Sequence, residues 1–138
     1  MKVLTQKDKK KLKSYFKNRS DVVLAILFGS HGTEFQRNDS DIDFAILFDN
    51  KISMMEEMKI LDELSGILSF ENIDLLNLNK ASVIMKFEAL SGQIIYERDF
   101  DETSDFMEKV FKTYGDITYM INEFNTDVLN RGINADEY

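Results

Sequence analysis

The apolar positions change period several times along the chain, and each change marks an element. Leu12, Tyr15 and Phe16 form a narrow stripe within a lysine-rich stretch, and Thr5 with Asp8 three residues on has the spacing of a capping box, which predicts a helix over residues 5–18. Val22–Phe28 is an unbroken apolar run with the length of a buried strand. It stops at Gly29-Ser30, and a polar loop containing Gly32 and Asn38 to Ser40 leads into a second strand over residues 41–48, expected to pair with the first. Ile52, Met55, Ile60, Leu61, Leu64 and Leu68 recur on a roughly helical period, so residues 52–68 are read as a helix and 73–78 as the strand after it. Met54, Met55 and Met58 fit flexible core filler. Residues 81–90 give a shorter helix and 93–96 a short strand. Phe106, Val110, Tyr114, Ile117, Ile121, Phe124 and Val128 then mark a long helix over about residues 104–131, expected to end at Gly132.

This order is βαβ-like and predicts an α/β protein: a small mixed β-sheet packed by helices, with a long C-terminal helix. A chain of 138 residues fits one compact unit, with residues 1–100 as its core and 101–138 as a helical extension of the same domain. The aromatic stripe of the last helix should partly cover that core, and any part left exposed would imply a partner.

Charge changes the picture at one end. Residues 1–20 hold eight cations against the single acid Asp8, giving +7, while the net charge of −8 leaves −15 for the rest of the chain. An acidic body of this kind lacks the extended positive footprint that a nucleic-acid surface needs, so no direct nucleic-acid partner is expected. No run approaches a membrane span, and the polar N-terminal stretch lacks an apolar signal core, which reads as a cytoplasmic protein with no membrane partner. With no cysteine, disulfides, thiolate zinc and thiol nucleophiles are excluded, and any metal must be held mainly by oxygen.

The chemistry concentrates in one stretch. Gly29-Ser30 at a strand end lets backbone N–H groups and a hydroxyl approach a phosphate closely, because glycine has no Cβ in the way. Asp41 and Asp43, one residue apart on a strand, share a face while Ile42 turns to the core. Two carboxylates so placed repel unless a cation lies between them, and magnesium suits carboxylates combined with substrate phosphates. Asp74, an acid within the apolar strand Ile73-Asp74-Leu75-Leu76, is the candidate third carboxylate, although an edge-strand position would account for it as well. His31, Arg37 and Lys80 are weaker candidates for phosphate contact, and Asp39 and Ser40 fit turn formers.

Gly29-Ser30, ten residues, then Asp41-Ile42-Asp43 resembles the signature of the minimal nucleotidyltransferase family in the DNA polymerase beta-like superfamily, and Asp74 falls on the later strand where that family places its third acid. The loop departs from the commoner pattern at His31, Glu34 and Asn38. The likeness spans nearly the whole chain, and its long last helix resembles that of the antitoxin member of two-gene toxin–antitoxin pairs. The resemblance implies a polymerase beta-like core and ATP as substrate. It also implies two magnesium ions held by Asp41, Asp43 and Asp74, with phosphates gripped by Gly29 and Ser30. Its implied reaction is magnesium-dependent transfer of AMP to a hydroxyl, a tyrosine, of a cognate HEPN-domain ribonuclease toxin, which neutralises the toxin. Two other readings stay open: an antitoxin acting by binding alone, and a nucleotidyltransferase acting on a small molecule such as an antibiotic.

Overall fold

The computed structural model describes residues 4–28 and 42–135. Its elements run α1 (Gln6–Lys17), β1 (Val22–Phe28), β2 (Ile42–Phe48), α2 (Met54–Leu68), β3 (Ile73–Asn77), α3 (Val83–Ala89), β4 (Gln93–Glu97) and α4 (Phe100–Ala135). The first helix is capped as its sequence predicts: the Thr5 hydroxyl accepts from the Asp8 N–H, and the Asp8 carboxylate accepts from the Thr5 N–H, both at 3.1 Å.

The four strands are ordered β3-β2-β1-β4. β1 runs antiparallel to both β2 and β4, whereas β2 and β3 are parallel, so the sheet is mixed and α2 is the crossover that a parallel pair requires. Alternation along the strands separates two apolar layers. Ala25, Ile42, Phe44 and Ile46 meet Leu12 and Phe16 of α1 and Ile60, Leu64 and Leu68 of α2. On the opposite face Val23, Leu24, Ile26 and Ala45 meet Leu78, Ala89 of α3 and Phe106 of α4. Polar groups tie the first layer together, since the Tyr15 hydroxyl donates to Glu63 while Arg19 pairs with Asp21 at 3.0 Å and Glu56 at 3.4 Å.

Three expectations need correction. Met54, Met55 and Met58 are not core filler but exposed, Met55 at 78%. The core face of α2 is the row Ile60, Leu64 and Leu68, four residues apart, and at 100° per residue Met55 lies almost opposite it. α2 also starts only at Met54, because the Ser53 hydroxyl accepts from the Glu56 N–H and caps the helix there. α4 begins at Phe100 and continues through Gly132 to Ala135. Its start lies upstream of the apolar stripe, where the Thr103 N–H already bonds to the Asp99 carbonyl and Asp101 and Glu102 suit the positive end of the helix. One glycine inside a helix costs about 1 kcal/mol, too little by itself to end it.

Candidate active site

Strand direction brings distant residues to one edge of the molecule. The C-terminal end of β1 lies beside the N-terminal ends of β2 and β3, so Phe28 pairs with Asp43 and Asp43 with Asp74, three residues in one row across the sheet. Residues directly opposite on neighbouring strands point to the same face. That face carries α3 and α4, because Phe28, Ala45 and Leu76 all join the second apolar layer. Asp43 and Asp74, thirty residues apart in sequence, therefore sit side by side on strands roughly 4.8 Å apart.

The two acids differ in setting. Asp43 belongs to the central part of the sheet and is only 7% exposed, whereas Asp74 lies on the edge strand β3 and is exposed, one of its oxygens accepting from the Leu75 N–H at 2.8 Å. The edge position expected for Asp74 is observed, and the register also sets it beside Asp43. A buried carboxylate beside a second one is costly without donors or a cation close by. The pair fits magnesium by its chemistry, hard oxygen donors from two adjacent strands opening to one face. Gly29, Ser30, His31, Arg37, Asp39, Ser40 and Asp41 lie outside the described residues.

Lys80 is not at this site. It follows the opposite end of β3, where its ammonium pairs with Glu57 of α2 at 2.9 Å. Burial works against the Glu57 charge, but Lys80 and the Asn77 amide, which donates to the same carboxylate at 2.9 Å, hold its carboxyl below the usual range.

Sequence reading missed one residue that shapes the site end. Gly92, in the turn between α3 and β4, packs so closely on β1 that a Cβ there would lie 2.4 Å from the Leu27 carbonyl oxygen and 2.7 Å from the Phe28 Cβ. The turn can cross the end of β1, from which residues 29–41 depart, only because this position has no side chain. The signal was present as a lone glycine between a helix and a strand, but nothing in the sequence says what it touches.

A model of the family described as polymerase beta, nucleotidyltransferase matches residues 10–101, about two thirds of the chain. The chain belongs to the polymerase beta nucleotidyltransferase family. The match runs from α1 through β4 and includes both acids. This nucleotidyltransferase is 34% identical over 98 residues to protein adenylyltransferase MntA of Aphanizomenon flos-aquae (strain 2012/KM1/D3), covering 63% of the present chain and 65% of that relative's length. Its fold is shared with a chain of the toxin–antitoxin MntA-HepT crystal structure at TM-score 0.69 and 20% identity, over 91% of this chain and 99% of that one. Equal figures hold for a complex of tri-AMPylated Shewanella oneidensis HEPN toxin with MNT antitoxin. A toxin–antitoxin structure with AMP-PNP matches at TM-score 0.68 and 21% identity, over 88% of this chain and 98% of that one.

Proposed function

We propose that this nucleotidyltransferase is a magnesium-dependent protein adenylyltransferase that moves AMP from ATP to a tyrosine hydroxyl of a cognate HEPN toxin, and that this modification is its antitoxin activity. The observation that carries the reading is the register of Asp43 beside Asp74 on one face, at the sheet end where the Gly29-Ser30 stretch leaves β1. The adenylyltransferase name of the 34% identical relative supports protein as acceptor, and the AMP-bearing toxin in a structure of the same fold supports it further.

In this proposal Asp41, Asp43 and Asp74 hold the metal, which would neutralise charge on the reacting phosphate and the departing pyrophosphate. The chain's own residues do the rest by placement. Gly29 and Ser30 bind the phosphates, and the buried Asp43 sets a fixed negative centre whose position the central strand determines. Asp74, the accessible member, takes the proton of the incoming hydroxyl. That oxygen bonds to the α-phosphorus as the bond from phosphorus to the bridging oxygen breaks, and pyrophosphate leaves with the electron pair. No covalent bond to the enzyme forms.

The test is the intact mass of toxin recovered after co-expression. Toxin from cells with the wild-type chain should carry added AMP, and toxin from cells with Asp43→Asn should not, with cell protection lost. Protection by both chains without any added mass would overturn the proposal in favour of binding alone.

A further inference from the structure

α4 is one helix with two fates. Its apolar stripe is continuous in sequence, but among the described side chains it is those of the first half that pack on the domain. Phe106 joins the layer over Val23 and Leu24, Val110 is 3% exposed, and the Tyr114 ring stacks on Phe87 of α3 with centroids 3.9 Å apart. Two turns further along the same stripe Ile121 is 51% exposed, and Met120 beside it is 67% exposed. Over the described residues the stripe has outrun the domain.

The direction in which it does so matters. α4 starts at the end of the sheet opposite the acids, where Arg98 bonds to Val23 and Asp49, and it reaches Phe87 just before α3 turns through Gly92 onto Leu27 and Phe28. Residues 115–135, roughly 31 Å of helix at 1.5 Å per residue, therefore extend toward the carboxylate end, from the face of the sheet that holds Asp43 and Asp74.

We infer that the free half of α4 is the docking surface for the acceptor protein, and that the acceptor meets it with an apolar face rimmed by basic residues. This rests on the transfer reading above, which requires a protein to hold a hydroxyl at Asp74. Charge selects this occupant over a second copy of the chain. Over residues 115–123 the exposed Asp116 and Glu123 stand with no basic residue among them, so two such helices laid together would set acids against acids, while a basic rim would be drawn to them. A partner seated there is anchored beside the reacting groups, which converts the search for Asp74 into a local one.

The experiment uses the full chain and its cognate HEPN toxin. Ile121→Asp places a charge on the free half, and Met55→Asp makes the same change at another exposed apolar position, in the N-terminal turn of α2. Circular dichroism checks that both stay folded, and calorimetry reads toxin and ATP affinity. Ile121→Asp should weaken toxin binding at least about tenfold and raise the KM for toxin with ATP affinity unchanged, whereas Met55→Asp should do neither. Glu123→Lys, which leaves the apolar area alone, should slow association and flatten its dependence on salt. Wild-type toxin affinity in Ile121→Asp overturns the inference, as does equal loss in both Asp variants. So does a chain dimer that Ile121→Asp dissolves with toxin affinity intact, because the face then belongs to a second copy. A wild-type chain that adds no AMP, yet loses toxin affinity through Ile121→Asp alone, refutes the transfer reading and leaves the docking surface standing.

Discussion

The two ends of the sheet handle charge in opposite ways. At the far end unlike charges are gathered: Arg98 donates to Asp49 at 2.8 Å, to Glu102 at 2.6 Å and to the Ser20 carbonyl at 2.9 Å, joining the start of α4 to the chain entering β1 and leaving β2. Lys80, Glu57 and Asn77 close the neighbouring corner. At the other end the register sets two carboxylates next to each other. The first arrangement joins donors to acceptors within the fold, whereas the second sets two acceptor groups where a cation could bridge them, which is how a binding site differs from a structural ion pair.

The largest expected effect breaks the second arrangement. Asp43→Asn removes one of two adjacent charges while keeping shape, so AMP transfer should fall by about three powers of ten or more. Thermal melting separates the two roles. In chelator the variant should melt close to the wild type, and magnesium should raise the melting temperature of the wild type alone. A variant that melts well below wild type in chelator would make Asp43 a structural residue.

Next comes Gly92→Ala, which should lower stability by about 1–3 kcal/mol in denaturant titration, because the new methyl group meets a backbone oxygen and not a yielding side chain. An unchanged midpoint would show that the turn can move away from β1.

The smallest effect belongs to the far end. Glu57 has a folded-state carboxyl pKa below its reference value of 4.5, so its contribution is fully present above that value and is lost as pH falls through the lower folded one. Glu57→Gln should therefore cost about 0.5–1 kcal/mol at neutral pH, Lys80 being well exposed, and the gap to wild type should close on acidification below pH about 4.5. A gap independent of pH would show that the loss does not come from the Glu57 charge.

Much of this was legible in the sequence because it is local. The capping box at Thr5 and Asp8 needs three residues, the apolar run Val22–Phe28 bounds β1 by itself, and the acid at Asp74 stood out against apolar neighbours. Strand pairing was harder. That Asp74 falls opposite Asp43, and not a residue away on the other face, depends on how α2 returns the chain, and only the structure shows it. The methionines misled because a loose helical period admits Met55 on the same stripe as Ile60, whereas the spacing of four from Ile60 to Leu68 is what the core obeys. Arg98 joins residues 78 and 49 positions away, and the two Asn79 bonds to Phe48, at 2.8 and 2.9 Å, span 31, distances over which sequence spacing carries no signal.

The strand order also sets a timetable for the chain as it is made. β1 is central, yet its two neighbours arrive far apart: β2 follows after residues 29–41, while β4 begins only at Gln93. Closing the longer span is slower, and a nascent chain that has already joined β1 to β2 still shows one unpaired edge of Val22–Phe28, seven apolar residues without a charge or a proline. Such an edge is a template for pairing with another chain. The interval between emergence of β1 and docking of β4 thus leaves that edge open, and the turn before β4 can settle on β1 because Gly92 has no side chain.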